Sequence, residues 1–287
     1  MGKAIIIENT DFSRSVLGKV TFIEDTKKQA HRIVSAFQTK TGTSVLTTEL
    51  VKMVKALIDN GIYDGLNGIY PLLGSTSEQL CTDLMGKHDV VIDTQVLMPS
   101  LNLLERTSLI ANTDSNVQSQ YDFEKSRVSL DAPKSSVGAT AFVRMNRKHT
   151  SGGVTLGIID SNLATPNPAR IGSYATDVAA YLYGGSRQYA GAFPDNFATL
   201  GMHLKAENTF DVYINSVKEE KTGNSVYDVY QLNYSLGSYA TADGANYETN
   251  ATSASGDIAF YLFGYVDDSK MDVLKSIVDE FLAAKGI

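Results

Sequence analysis

The fold class of this chain is decided by its closing stretch, GDIAFYLFGYVDDSKMDVLKSIVDEFLAAKGI, residues 256–287. The part from Ile258 to Phe263 is apolar on both alternating faces, which is typical of a strand buried in the centre of a sheet. Asp267 or Asp268 then offers a side-chain oxygen and a negative charge where a helix begins. The predicted helix carries its apolar residues on one stripe: Met271, Leu274, Ile277, Val278, Phe281 and Leu282. We therefore expect a central strand followed by a helix that covers one face of its sheet.

The chain from about His88 onward consists of short β-prone runs separated by Gly, Asn, Asp, Ser and Pro. One of them, TFDVYINSV at residues 209–217, alternates as an antiparallel strand should. Its two faces hold, respectively, Phe210, Val212 and Ile214, and Asp211, Tyr213 and Asn215. Strands at this spacing, with no helices between them, predict a mostly β fold in the form of an antiparallel two-sheet sandwich or jelly roll.

Two helices are predicted nearer the start of the chain. The stretch TKKQAHRIVSAFQ has helical apolar spacing, and its Thr26 and Gln29 have the spacing of a capping box. A second helix is expected from Thr47 to Asn60, and Gly61 follows where a left-handed C-terminal residue belongs. These helices predict a helical layer in addition to the β-sandwich.

The helices and a short strand, KAIII, divide the chain into two parts. Residues 1–86 are expected to form an N-terminal segment of strand and helices for docking or oligomerisation. Residues 87–287 are expected to form the β-sandwich with its C-terminal helix. Between them, GIYDGLNGIYPLLG, residues 61–74, has four glycines and a proline among apolar residues, which indicates a compact turn-rich connector.

Charge and composition narrow the classes of partner. The chain of 287 residues has a formal net charge of -7, whereas a nucleic-acid partner requires a basic face. The apolar run in the opening MGKAIIIENT is too short for a signal peptide, and no run reaches membrane-spanning length. A single cysteine, Cys81, excludes an intrachain disulfide. We expect a soluble protein with no export signal and no nucleic-acid or membrane partner.

Three stretches together resemble one family of proteins. They are KAIIIENTDFSRSVLGKV near the start, LVKMVKALIDNGIYDGLNGIYPLLGSTSEQ at residues 50–79, and the closing strand, acidic turn and helix. They are similar to bacteriophage and prophage virion proteins with a concanavalin A-like (lectin/glucanase) jelly roll, in particular from phages of gut Bacteroides-type hosts. The family commonly has Trp at the position of Tyr63, and this chain has no Trp.

The resemblance implies a virion component: a head or tail fibre, or a capsid-decorating subunit. It implies synthesis in the host cytoplasm, other virion proteins as partners, a homo-oligomer, and no particular ligand. Glycoside hydrolases of this fold carry Glu-x-Asp-x-x-Glu, or a close variant, along one strand, and no such run occurs here. Asp211, Glu219 and Glu220 are the nearest approach, but the adjacent glutamates point to opposite faces beside lysines. We therefore expect no enzymatic activity and no catalytic residue.

Metal and cofactor sites are not predicted. The four histidines, His31, His88, His149 and His203, lack metal-ligand spacing. NTDSN at residues 112–116 and VDDSKMD at residues 266–272 offer oxygen ligands for calcium, but neither has a glycine-turned loop with a closing Glu. A turn and an N-cap account for them.

Tyrosine is the remaining candidate for binding. Of the 15 tyrosines, those at alternating strand positions, such as Tyr181 and Tyr183, are expected to fill a sheet face. Tyr189, Tyr239 and Tyr247 lie in Gly/Ser/Asn-rich stretches predicted to be binding loops, so we expect them to contact a glycan or a protein. Together with the resemblance, these residues predict a non-enzymatic phage virion structural protein, a head or tail fibre or capsid-decorating subunit, with contact to host-surface glycans left open. The alternatives are a carbohydrate-binding module and, last, a polysaccharide-degrading glycoside hydrolase.

Overall fold

The computed structural model describes residues 5–6, 21–22, 25–80, 82–87, 90–98, 103–111, 121–122, 137–147, 153–160, 169–174, 177–181, 188–194, 197–206, 208–223, 231–236, 239–240, 247–248 and 256–287. Within these ranges, none of the helices combines the length and the hydrophobicity that a membrane span requires.

The described residues form helices at both ends of the chain and strands between them. The helices are α1 (Thr26–Thr41), α2 (Thr47–Asp59), α3 (Ser77–Leu80) and α4 (Met271–Lys285), with 3-10 turns at Tyr63–Gly65 and Asp268–Lys270. The first strands are β1 (Ile5–Ile6), β2 (Thr21–Phe22), β3 (Leu66–Tyr70), β4 (Val90–Met98), β5 (Leu103–Ala111), β6 (Tyr121–Asp122), β7 (Ala139–Arg147), β8 (Gly153–Asp160) and β9 (Ala169–Tyr174). The later strands are β10 (Asp177–Tyr181), β11 (Gln188–Ala192), β12 (Ala198–Ala206), β13 (Thr209–Ile214), β14 (Val217–Thr222), β15 (Gln231–Leu236), β16 (Tyr239–Ala240), β17 (Tyr247–Glu248) and β18 (Gly256–Tyr265).

The main sheet is antiparallel and folds over itself into two layers. Its strand order is β11-β10-β9-β8-β15-β5-β18-β7-β12-β13-β14, with β3 paired to β18. Strands from the two ends of this path share one hydrophobic core, in which Ile171 and Val178 pack with Val143 and Met202. The side chain of Gln188 on β11 also donates to the carbonyl oxygen of Thr222, so the two ends of the path meet. The predicted class is confirmed: a mostly β antiparallel sandwich with N-terminal helices and a C-terminal helix.

Strand β18 separates two cores, as its apolar run predicts. Tyr261 and Phe263 lie in the core between the two sheet layers. Phe260 and Leu262 point to the opposite face and lie in a second core with the helices. The six residues of the predicted helical stripe are buried in that second core: Met271, Leu274, Ile277, Val278, Phe281 and Leu282. The terminal helix therefore covers the back of the sheet that contains β18.

The second core also includes the N-terminal helices. Leu50 and Val54 of α2 are buried in the same cluster as Phe260 of β18 and Phe281 of α4. Residues on both sides of the expected boundary at residues 86 and 87 therefore share one core and, through β3 and β18, one sheet. The division of the chain into two domains, and a docking role for the first, stay predictions.

One predicted helix start is wrong and another is confirmed. Asp25, not Thr26, caps α1, because the Asp25 carboxylate accepts from the amide of Lys27 at 2.9 Å and Thr26 is already helical. Asp267 caps the turn before α4 by accepting from the amide of Ser269 at 2.9 Å. Short carboxylates suit this position because they satisfy amides that have no partner inside the helix.

The connector at residues 61–74 is buried as predicted, but it contains the strand β3. Gly68, which suggests a turn in the sequence, lies in the middle of that strand. A Cβ at Gly68 would come within 2.8 Å of the ring of Tyr70 and 2.9 Å of the ring of Phe263. These rings stack with centroids 6.0 Å apart. Glycine is present for close packing of the rings, not for a turn.

Candidate functional site

A row of buried polar residues crosses the sheet beneath the start of α4. His203 on β12 is paired in register with Thr140 on β7 and with Asp211 on β13. Residues paired in this way share one face of a sheet, and this face is the one on which Phe142 and Tyr213 meet the helices. Thr140, His203 and Asp211 are at most 1% exposed. Buried polar atoms of this kind usually have hydrogen-bond partners, so an atom without one is unusual.

The imidazole of His203 is held in one orientation by Thr140. Thr140 Oγ1 lies 2.8 Å from His203 Nδ1 and 3.0 Å from the carbonyl oxygen of Gly138. A carbonyl oxygen only accepts and a hydroxyl has one proton, so we assign that proton to the Gly138 bond and the imidazole proton to Nδ1. Nε2 is then an acceptor. Burial lowers the pKa of His203 to about 4, so the ring is neutral at neutral pH.

Three polar atoms in this row have no hydrogen-bond partner among the described residues: His203 Nε2, Asp211 Oδ2 and the Tyr213 hydroxyl. The nearest charged atom to Nε2 is Asp268 Oδ1 at 3.5 Å, which is also an acceptor. The nearest to Asp211 Oδ2 is Lys218 Nζ at 3.9 Å. Burial raises the pKa of Asp211 and that of Tyr213. Unpaired buried polar atoms are uncommon in proteins, and here they occur at neighbouring positions.

His203 lies at the base of an open cleft of about 400 Å³. The cleft is lined by Val137, Gly138, His203, Lys205, Tyr265, Val266, Asp267 and Asp268. Lys205 donates to Glu220 at 2.8 Å, and Asp267 is engaged in capping the turn before α4. Asp268 has a half-exposed side chain, so solvent or a ligand reaches its carboxylate.

No catalytic triad is formed by Thr140, His203 and Asp268. The Thr140 hydroxyl, which would be the nucleophile, is buried. Thr140 donates to the carbonyl oxygen of Gly138, and its oxygen lies 3.8 Å from the sulfur of Met271. A hydroxyl covered by a helix does not reach a substrate carbonyl, which nucleophilic catalysis requires. The arrangement is better suited to holding the His203 ring and presenting Nε2.

The carboxylates that come nearest to forming a catalytic pair cannot act together, because one is buried and the others are paired with lysines. Asp211 and Glu220 are paired in register on β13 and β14, but Asp211 is 1% exposed. Glu220 is bound by Lys205 at 2.8 Å, and Glu219 by Lys221 at 2.7 Å. Glycoside hydrolysis needs two carboxyl groups that both reach the scissile bond.

The described part of the chain contains no group of three His, Cys, Asp or Glu residues that could hold a metal ion. In VDDSKMD, Asp267 serves as the predicted cap. Cys81, His88, His149 and residues 112–116 lie outside the described residues. The expected lack of a metal or cofactor stays a prediction.

The predicted contact tyrosines lie on strands, so their placement in loops is wrong. Tyr189 is on β11, and its side chain is 59% exposed. Tyr239 on β16 and Tyr247 on β17 belong to paired strands and occupy adjacent register positions. Tyr239 is opposite Glu248 and Tyr247 is opposite Ala240, so only the backbones of the two tyrosines are neighbours, whereas the described partner of β11 is β10. Contact with a ligand stays a prediction for all three.

The sequence did not single out the polar row. Its only signals are His203 within the apolar run LGMHLKA and Asp211 between two apolar residues in TFDVYI. Whether each side chain is buried or exposed depends on whether the second face of the sheet is covered. In this fold α4 covers that face. Pairing β12 with β13 then sets the two side chains opposite each other.

The buried imidazole makes stability depend on pH. Folded His203 stays neutral down to a pKa of about 4, while the unfolded chain binds a proton near 6.5. The unfolded state therefore holds more protons between these values, and stability is lost as the pH falls from 6.5 to about 4. The raised pKa of Asp211 acts in the opposite sense, because the folded carboxyl is protonated first. We expect the titration of His203 alone to lower the stability by roughly 2 kcal/mol between pH 7 and pH 4.5.

The measurement is the free energy of unfolding in urea at pH 7 and at pH 4.5, for the natural chain and for His203→Gln. The variant retains a polar group next to Thr140 but no longer titrates in this range. We expect its stability to fall less with acidification, by roughly 2 kcal/mol. An identical pH dependence in the two proteins would contradict a neutral, buried His203.

No protein-family model matches this sequence, and no curated protein matches it. Among solved structures, the chain is similar to Trypanosoma rangeli sialidase in complex with sialic acid, with 10% identity, a TM-score of 0.49, and coverage of 81% of this chain and 40% of that chain. It is also similar to the botulinum neurotoxin serotype D binding domain, with 10% identity, a TM-score of 0.47, and coverage of 78% and 53%. The chain spans about half the length of these structures or less. The fold assignment rests on the strand pairing of the chain itself, and no functional argument follows from these similarities.

Proposed function

We propose that this protein is a non-enzymatic structural component of a bacteriophage particle whose β-sandwich contacts host-surface glycan. The sequence resemblance to virion proteins supports the first part of the proposal. The observation that carries the second is the ring of Tyr189, which is 59% exposed on a sheet strand. Its neighbour Ala190 is buried in the core between the layers, so Tyr189 points away from that core.

A tyrosine on a strand suits the recognition of a sugar. Its ring offers an apolar face and its hydroxyl a polar tip, which matches the two kinds of surface on a sugar ring. The strand holds the backbone of Tyr189 in place, because Gln188 bonds to the Thr222 carbonyl and Ala190 is in the core. A preorganised contact loses less conformational freedom when the ligand binds.

The non-enzymatic part of the proposal is supported by the pairing of the exposed acidic residues. On β14, Glu219 and Glu220 bond to Lys221 and Lys205, and the strand is an end of the sheet path. Charged residues on such an edge prevent pairing with other strands, which explains them without catalysis. A measurement of reducing-end release from host capsular polysaccharide tests this directly, and we expect none.

Glycan binding is tested on an array of bacterial surface polysaccharides with Tyr189→Ala. We expect the substitution to weaken binding about tenfold or more, as the loss of an aromatic contact residue typically does. The matched control is Val217→Ala, which removes another exposed apolar side chain, 57% exposed, from the strand β14. It should change affinity less than twofold. Absence of glycan binding, or equal binding by both variants, would refute the role of Tyr189.

The virion role is tested by mass spectrometry of purified phage particles. We expect the intact chain among the particle proteins, and more than one subunit per assembly in light scattering after size exclusion. A chain that binds glycan but is absent from particles would instead be a free carbohydrate-binding module. A carbohydrate-binding module is therefore the second candidate function, because the exposed ring of Tyr189 suits glycan binding in either case.

A further inference from the structure

The cleft above His203 has two adjacent acceptors, and no described group donates a hydrogen bond to the imidazole acceptor. His203 Nε2 and Asp268 Oδ1 are 3.5 Å apart, and Nε2 has no hydrogen-bond partner among the described residues. The His203 side chain is 1% exposed and lines the cleft. A neutral imidazole nitrogen next to a carboxylate is stabilised when a third group donates to both.

We infer that this cleft binds one sugar unit of the glycan, with neighbouring hydroxyls that donate to His203 Nε2 and Asp268. This inference rests on the proposed glycan-binding function and assigns a site to it. Lys205, on the cleft wall, donates to a sugar oxygen in addition to Glu220, since an ammonium has three donors. Tyr265, half-buried in the same wall, supplies apolar surface.

The charges of the cleft favour a neutral hydroxyl-bearing ligand. Asp267 and Asp268 disfavour a phosphate or a carboxylate, and the ammonium of Lys205 is already paired with Glu220. A metal ion has no converging set of three ligands among the described residues. Hydroxyls donate and accept at once, so a pair of them satisfies both acceptors without bringing a charge into the cleft.

The orientation of His203 is set before the ligand arrives. Thr140 holds Nδ1, and Gly138 holds the hydroxyl of Thr140, so Nε2 is presented toward the cleft at no further cost of ordering. The carboxylate of Asp268 follows the Asp267 cap and begins the 3-10 turn before α4. The sheet and the start of the helix each contribute one acceptor.

The test is a titration of the full chain, labelled with nitrogen-15 in histidine, with glucose, galactose, mannose and N-acetylglucosamine in turn. We expect at least one sugar to shift the His203 Nε2 resonance. Asp268→Asn should weaken that binding about tenfold or more, because the new amide donates to Nε2 and occupies the acceptor. The matched control is Asp272→Asn, one turn along, whose side chain is 83% exposed and pairs with Lys218. It should change affinity less than twofold.

The outcomes separate this inference from the proposed function. If no sugar shifts His203 while glycan binding persists and depends on Tyr189, an ordered water satisfies Nε2, and the inference is overturned while the function stands. If ammonium chloride shifts His203 and the sugars do not, the cleft is a cation site and the inference is overturned. If the chain binds no glycan in any assay, the inference fails together with the glycan part of the function.

Discussion

Replacing Gly264 with alanine should lower the free energy of unfolding by about 4 kcal/mol. Gly264 lies in β18 opposite Leu66 of β3. A Cβ at this position would be 2.5 Å from Leu66 Cα, 2.6 Å from the carbonyl oxygen of Gly65 and 2.7 Å from the amide nitrogen of Asn67. All three are backbone atoms, so no side-chain rotation relieves the overlap. β3 must move away from β18, and both cores adjoin these strands.

The measurement is chemical denaturation, with Gly286→Ala as the matched control. Gly286 ends α4 with φ of +83°, and a Cβ there would meet nothing within 4 Å. Its substitution therefore carries only the backbone cost of a left-handed residue, about 1 kcal/mol. Equal losses in the two variants would mean that β3 is not held against β18 as described.

Replacing Lys285 with methionine should also cost about 2 kcal/mol at pH 6, because the loss of its buried hydrogen bonds outweighs the removed cost of burying an ammonium. The Lys285 ammonium donates to the carbonyl oxygens of Pro71, Leu72 and Ala259 at 2.8, 3.2 and 2.7 Å. It thereby ties the end of α4 to the chain after β3 and to β18. Burial lowers the pKa of Lys285 to about 7, so the amine is charged at pH 6. Methionine keeps the length of the side chain but leaves these carbonyls without their donor.

The control for this variant is Lys275→Met on the same helix. Lys275 pairs with Asp279 four residues on, at 2.5 Å, and the Asp279 side chain is 47% exposed. Partly exposed pairs of this spacing contribute about 0.5 kcal/mol, and methionine preserves the apolar packing of the stem. We expect the two losses to differ by about 1.5 kcal/mol in urea unfolding. Comparable losses would show that the hydrogen bonds from Lys285 to the three carbonyl oxygens add no more stability than the partly exposed pair of Lys275.

The sandwich was predictable because the spacing of apolar residues along a strand shows which of its faces are buried. Ile258 to Phe263 is apolar at every position, and the structure buries both sides of this strand. Strand β3 escaped prediction because Gly68 indicates a turn when only the sequence is considered. Glycine is needed at position 68 because the ring of Phe263 lies against it, and Phe263 belongs to a strand almost two hundred residues further along the chain. Long-range contacts of this kind leave no local pattern.

The candidate site was not predictable for a related reason. Asp211 and Tyr213 lie on the polar side of an alternating strand, which indicates solvent, yet both are at most 2% exposed because helices cover that face. His203 gains its importance from Thr140, 63 residues away in sequence, and from Asp268 at the start of the last helix. The tyrosines that composition suggested lie on strands, and their role is left to the glycan experiments.

The sequence by itself determined the β-rich class, the double-sided burial of the last strand and the apolar stripe of the last helix. Each of these depends on the periodicity of neighbouring side chains, which is a local property of the chain. Tertiary structure alone decided which face the helices cover, that β3 pairs with β18, and that His203, Asp211 and Asp268 meet. Register and layer packing bring together residues that are distant in sequence, so the charge and hydration of a site emerge only after the layers have closed.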